Sequence, residues 1–163
     1  MSPTFRLAAA ADLHRIVELD RSVRNAAEQP EHAADWLEPS AEQVLGAWLA
    51  AGECHVVEQG SVIVAYVVLH NHFFHDPIID ILIVGTAWRR RGIGRGMIRY
   101  LASVCRPPKL WTSTNLSNQP MQALLASEGF KMSGFIEGLD EGDPELIYLK
   151  LIRLCRRFEL NRA

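Results

Sequence analysis

The chain has 163 residues, is 48% hydrophobic and carries a net charge of −2. That is the length of one domain with its own core, and its charge lacks the basic excess a general nucleic-acid binder needs. Cys54, Cys105 and Cys155 show no metal or redox spacing and read as free thiols. No leader pattern opens the chain and no apolar run reaches membrane-spanning length, so the expected location is cytoplasmic, with no membrane partner.

Residues 4–7 read as a short first strand, and from Asp12 a helical pattern places Leu13, Ile16, Val17 and Val23 on one side. Residues 25–39 read as irregular, broken by Pro30 and Pro39. Ser40, followed by Glu42 and Gln43, marks a helix start, with Val44, Leu45, Trp48 and Leu49 as its apolar face. Residues 54–58 and 62–69 are two strands around Gln59-Gly60-Ser61, a hairpin signal. A turn is expected at 70–77. Residues 78–84 are almost all apolar and β-rich, which predicts a central strand buried on both faces. Ile93, Met97, Tyr100, Leu101 and Val104 form the stripe of a third helix, stopped by Pro107 and Pro108. A strand at 109–114 precedes a fourth helix, capped by Asn118 and ended at Gly129. Strands at 131–136 and 146–151 flank an acidic loop, and 153–163 is a polar tail.

The segment 84–98 (VGTAWRRRGIGRGMI) joins the end of the central strand to the third helix through a basic, glycine-rich loop. Gly92, Gly94 and Gly96 let a ligand approach backbone N–H groups. The first N–H groups of a helix lack internal partners, and the helix dipole favours an anion there. Arg89, Arg90, Arg91 and Arg95 add full charges. The loop therefore suits a phosphate or pyrophosphate. It is neither a P-loop, for want of Gly-Lys-Ser/Thr, nor a Rossmann fingerprint, since Met97 stands where the third glycine belongs.

Arg89-x-x-Gly92-x-Gly94, five residues beyond Val84, resembles the acetyl-CoA-binding motif of the GNAT superfamily of N-acyltransferases. The register Arg91-x-x-Gly94-x-Gly96 fits as well, but the spacing from Val84 favours the first. A second resemblance lies at 118–130 (NQPMQALLASEGF), similar to the family's Asn-x-x-Ala…Gly-Phe helix. Leu125 stands where many members carry a tyrosine proposed as general acid, which leaves that acid unassigned.

The resemblance implies the GNAT fold, an α/β mixed sheet of about seven strands flanked by four helices, as a single domain over 1–152. It implies acetyl-CoA as co-substrate, with the pyrophosphate on Arg89, Arg90, Arg91, Gly92, Ile93, Gly94, Arg95 and Gly96. Ile83 and Val84 would flank the pantetheine slot, the backbone N–H of Val84 polarising the thioester carbonyl, and Asn118 would lie near the pantetheine arm. No metal is implied.

The implied activity is acetyl transfer to a primary amine of a small molecule, a peptide N-terminus or a protein lysine, by direct attack in a ternary complex. The alternative is a non-catalytic acyl-CoA-binding or sensing module. Asp80 interrupts the apolar run 78–84 and sits where many members have Glu or Asp, so it is the candidate base. A carboxylate in an apolar strand otherwise needs a partner or the strand's wet end. A histidine of the 70–75 turn is the other candidate. His70, His72 and His75 also invite a metal reading, but no cysteine is near, so no metal is expected.

The loop 137–145 (EGLDEGDPE) holds five carboxylates, either as a solvated hairpin or as an acidic lip that draws a cationic acceptor. Trp48, Trp88 and Trp111 read as core, and Trp36 as a possible cover of the acceptor pocket. Arg15, Arg21, Arg24 and Arg99 read as solvated helix faces. The apolar run 146–154 suits either an internal strand or edge pairing in a homodimer.

Overall fold

Val56 and Val57 are neighbours in one strand and both are fully buried. Successive strand residues point to opposite faces, so the sheet is covered on both sides. The computed structural model describes residues 2–26 and 40–152. The expectations for Trp36, Cys155 and the tail at 153–163 lie outside the described residues.

Seven strands form one sheet: β1 (Thr4–Leu7), β2 (Cys54–Gln59), β3 (Val62–Phe73), β4 (Asp76–Val84), β5 (Lys109–Asn115), β6 (Lys131–Ile136) and β7 (Glu145–Leu151), in the order β1-β2-β3-β4-β5-β7-β6. Every neighbouring pair is antiparallel except β4 and β5. Helices α1 (Leu13–Ala26) and α2 (Ala41–Ala50) cover one face, where Ile16, Val17 and Leu45 pack on Val56, Tyr66 and Val68. Helices α3 (Ile93–Val104) and α4 (Gln119–Ser127) cover the other, where Met97, Ile98, Leu101 and Leu125 pack on Val57, Val67 and Leu110. This is the expected α/β mixed sheet with four helices.

Local chemistry sets the ends of these elements. Ser40 accepts from Gln43 N at 3.2 Å while Gln43 Oε1 accepts from Ser40 N at 2.8 Å, a capping box that starts α2. The third helix buries Ile93, Met97, Ile98 and Leu101, while Tyr100 is half-buried and Val104 is exposed at its last turn.

Two expectations are corrected. The turn expected at 70–77 shrinks to Phe74 and His75, both at positive φ, and β3 runs on to Phe73. His70 and His72 are therefore strand residues, and their rings stack on each other. The central strand β4 is not buried on both faces: Ile79 is buried, Asp80 is exposed, and Ile81, Leu82, Ile83 and Val84 are half-buried. The cause is the gap beside it, described below.

At the start of the chain, Arg6 binds the buried Asp12 at 2.6 Å and Glu58 at 2.8 Å. Hydrogen bonds from the Arg6 guanidinium, and one from Ala9 N, hold the Asp12 carboxyl below its ordinary value of 3.8 despite burial. A depressed carboxyl gives stability that is present above its unfolded value and lost as pH falls through the folded one. Arg6→Gln is expected to cost about 2 kcal/mol near neutral pH. It should also raise the midpoint of acid unfolding, followed by circular dichroism; an unchanged midpoint would show that the pair contributes nothing.

Candidate active site

The parallel ladder between β4 and β5 has only two register pairs, Ile78 with Trp111 and Ile79 with Thr112. Beyond them the strands part. Thr112 Oγ1 donates to Ile79 O at 3.0 Å where the gap begins. Gly85 N donates to Val64 O at 2.9 Å, toward β3, so the N–H of Val84 faces the other way, into the gap. The carbonyl of Val84 faces the gap too and accepts from Arg89 Nε at 3.2 Å. The gap opens into a cleft of about 950 Å³ that crosses the sheet from α1 to α3 and α4.

The N-terminus of α3 closes one end of this cleft. Gly92 sits at φ 80, which glycine adopts without strain, and no side chain caps the helix. The first bond inside it runs from Gly96 N to Gly92 O at 2.9 Å, so the N–H groups of Ile93, Gly94 and Arg95 have no partner within the helix. Opposite, Asn118 caps α4 by accepting from Met121 N at 3.3 Å, and its side chain keeps an amide group beside the cleft. An anion at the N-terminus of α3 would meet several backbone donors and the positive end of a helix dipole.

Of the residues singled out in the sequence, Asp80, Ile83, Val84, Arg89, Arg90, Gly92, Ile93, Gly94, Arg95 and Asn118 all line this cleft. Arg91 and Gly96 are not among its lining residues. Arg91 lies over the ring of Trp88, 5.2 Å from its centroid. A Cβ on Gly96 would come within 2.5 Å of Phe5 Cζ, so this glycine permits α3 to pack on β1. The arginines divide in the same way. Arg95 pairs with the buried Glu128 at 3.0 Å, as Arg99 does at 2.9 Å, and together they tie α3 to α4. Arg89 and Arg90 make no ion pair among the described residues, so their charges are available to an anionic ligand.

The α1 side of the cleft holds different chemistry. Asp80 is the extra residue of a β-bulge, because Val68 pairs with Ile81 and Leu69 with Ile79. The bulge puts Ile79 on the α3 face and Ile81 on the α1 face, and it frees Asp80 to reach the cleft. Asp80 Oδ2 lies 3.5 Å from His70 Nε2, whose Nδ1 meets Glu53 Oε2 at 2.9 Å. Thus one carboxylate and one histidine, read in the sequence as rival bases, are in contact. Nearby, Arg24 also lines the cleft, held by Asp20 at 2.7 Å; Tyr66 donates to the same carboxylate at 2.6 Å. Burial, with the Asp20 hydrogen bond, pushes the Tyr66 hydroxyl well above its ordinary range. Arg24 and Arg99 lie exposed on their helix faces, as expected, and each also pairs with a carboxylate.

Much of the acidic loop is spent on holding itself in place. Asp140 accepts from Asn115 Nδ2 at 2.7 Å, and Asp143 accepts from Ser117 N at 2.8 Å and Ser117 Oγ at 2.6 Å. Of its five carboxylates, Glu145 is the one that lines the cleft. Sequence reasoning missed Glu53 and the β5 residues Ser113 and Thr114, read Arg24 only as a helix-face residue, and held Glu145 only as part of the acidic loop. Alternation along β5 was the available signal, but only for a reader who already had β5 parallel to β4. Leu125 is fully buried in the core. None of the three tyrosines lines the cleft.

The sheet thus parts beside its parallel pair, with an uncapped helix N-terminus and unpaired arginines at the opening, an arrangement that suits an anionic ligand. The sequence profile of the acetyltransferase (GNAT) family matches residues 13–130, and the chain belongs to that family. Acetyl-CoA is the acetyl donor of the family. A GNAT-family acetyltransferase from Bacillus cereus superposes with a TM-score of 0.80 at 28% identity, covering 93% of this chain and 98% of that one. A putative acetyltransferase from Salmonella typhimurium, solved with its cofactor acetyl-CoA, has a TM-score of 0.74 at 17% identity, over 100% and 98% of the two chains. The ribosomal-protein-S18-alanine N-acetyltransferase of Escherichia coli has a TM-score of 0.71 at 16% identity, over 98% and 100%. No curated protein matches the sequence. No helix among the described residues is long and apolar enough to cross a membrane.

Proposed function

We propose that the protein transfers an acetyl group from acetyl-CoA to a primary amine by direct attack in a ternary complex. The parting of β4 and β5 beside the uncapped N-terminus of α3 carries this reading. Pyrophosphate would sit on the N–H groups of Ile93, Gly94 and Arg95, flanked by Arg89 and Arg90. The pantetheine would run along β4 beside Asn118, adding its hydrogen bonds in the gap that β5 leaves open. The thioester carbonyl would accept from Val84 N–H, a donor held in place before the oxyanion forms.

The acceptor amine enters from the α1 side, and it must be neutral to attack. Asp80 is the base. Along a strand the four-residue separation of Asp80 from Val84 is about 13 Å, so Asp80 takes the proton through water rather than by contact. Asp80 and Glu145 put negative charge on the acceptor's path, which suits an amine that arrives protonated. Small amines, peptide N-termini and protein lysines all meet that description. The leaving thiolate has ordinary thiol acidity, near 8.5 by analogy with cysteine, so it can depart without the missing tyrosine.

That missing tyrosine favours one other reading, an acyl-CoA-binding module without turnover. The two separate in one assay, release of the CoA thiol from acetyl-CoA against small amines, a peptide with a free N-terminus and a lysine-rich peptide. Acceptor-dependent release supports the transferase. Saturable CoA binding with no release on any acceptor supports the sensor.

A further inference from the structure

We propose that Glu53, His70 and His72 form a binding site for a zinc ion, with Asp80 as the outer partner of His70. The three side chains each offer a ligand atom, and these atoms all lie within 4.8 Å of one another. The backbone brings them there. Leu69 N donates to Glu53 O at 2.8 Å, which fixes Glu53 beside the strand that carries both histidines. His70 and His72 both lie on β3, and their rings stack 4.8 Å apart at 22°.

The distances suit an ion. Ligand atoms bound at about 2.0–2.1 Å to one tetrahedral zinc lie about 3.3 Å apart. His70 Nδ1 and Glu53 Oε2 already stand 2.9 Å apart. His72 is exposed, so a rotation of its ring completes the set. The other nitrogen of His70, Nε2, faces Asp80 Oδ2 at 3.5 Å. Metal-ligating histidines usually present their second nitrogen to a carboxylate in this way, which fixes the ring. An ordinary buried histidine accounts for the contacts of His70 but gives no reason for the exposed His72 to lie stacked on it. Two nitrogens and one oxygen leave the fourth position of a tetrahedral ion to water, on the exposed side of His72. Such an ion would pin the outer end of β3 to the start of β2, at the edge of the acceptor side of the cleft.

Calorimetric titration with zinc chloride, and the visible absorption spectrum with cobalt(II), test the site without acetyl-CoA, so the result is independent of the transferase reading. One zinc per chain and a tetrahedral cobalt spectrum are expected. His72→Ala, an exposed change that spares the core, and Glu53→Gln should each remove binding. Asp80→Asn should weaken it about tenfold or more, and His75→Ala, in the adjoining turn, should leave it intact. Absence of stoichiometric binding to wild type at micromolar zinc overturns the proposal. So does binding that survives both His72→Ala and Glu53→Gln.

Discussion

Gly94→Glu is expected to abolish acetyl-CoA binding while leaving the fold standing. Gly94 is the second residue of α3, and a Cβ there would lie 3.3 Å from Leu124 Cδ2, 3.8 Å from Leu82 Cδ2 and 3.9 Å from Val84 Cγ2. Its side chain would grow between α4 and the open edge of β4, where the pantetheine is proposed to run. It would also bring a carboxylate to the proposed pyrophosphate site. Two unit charges 4 Å apart near a protein surface repel by about 4 kcal/mol, which corresponds to a loss of affinity of about a thousandfold. The helix itself gains from the change, since glutamate is a better helix former than glycine, and this offsets the tight contact with Leu124. A thermal titration reads the result. At one hundred times its dissociation constant, a ligand stabilises by about 2.7 kcal/mol. Wild type should show that rise with acetyl-CoA and with CoA, whereas the variant should melt near the wild-type apo temperature and show no rise. An undiminished rise in the variant would place the cofactor elsewhere.

The same residue shows what could be read from the sequence and what could not. The uncapped, glycine-rich start of α3 was legible because its physics is local: three glycines, a run of arginines and a helix start lie within a few residues of one another. Ser40 with Gln43, and Asn118 before α4, were legible for the same reason. The roles of Gly96 and Arg91 were not. Gly96 answers to Phe5, which reaches it from β1, and the Arg91 guanidinium lies over Trp88. Glycine content marks a position as special without saying whether a ligand or a neighbouring side chain needs the space.

Long-range pairing hid the rest. An apolar strand such as 78–84 signals burial on both faces, yet β4 is half-open because β5 diverges after two pairs. The parting begins where β4 bulges at Asp80, directly after its last pair with β5, and that bulge depends on pairing with β3. The end of β3 was misread because the turn that follows uses Phe74 and His75 at positive φ, where glycine or asparagine would have announced it. Once β3 extends to Phe73, His70 and His72 lie on one strand with their rings stacked, and Glu53 becomes their neighbour. Asp80 stood out in the sequence as a carboxylate among isoleucines, and it is at the cleft. The bulge that exposes it is visible only in the register between β3 and β4.

Asp80→Asn carries the other large effect. A positioned general base contributes about 10²–10⁴ in rate, so kcat/KM for the acceptor should fall at least about a hundredfold, or about 2.7 kcal/mol of transition-state stabilisation. The KM for acetyl-CoA should not change, because the proposed pyrophosphate and thioester contacts lie at Val84 and beyond. Stability should change little, since the Asp80 side chain is 48% exposed. The pH dependence separates a base from a mere electrostatic contact. An alkylamine such as lysine has an ordinary pKa of about 10.4, so at neutral pH nearly all of it is protonated and the base is needed. As pH rises, the free amine supplies itself and the variant's deficit should shrink toward wild type. If Asp80 acts only by attracting the cationic acceptor, the deficit appears instead in the acceptor's KM and fades with added salt. A loss of less than about tenfold at neutral pH would remove Asp80 from the role of base. His70, in contact with it, would then be the group to replace next.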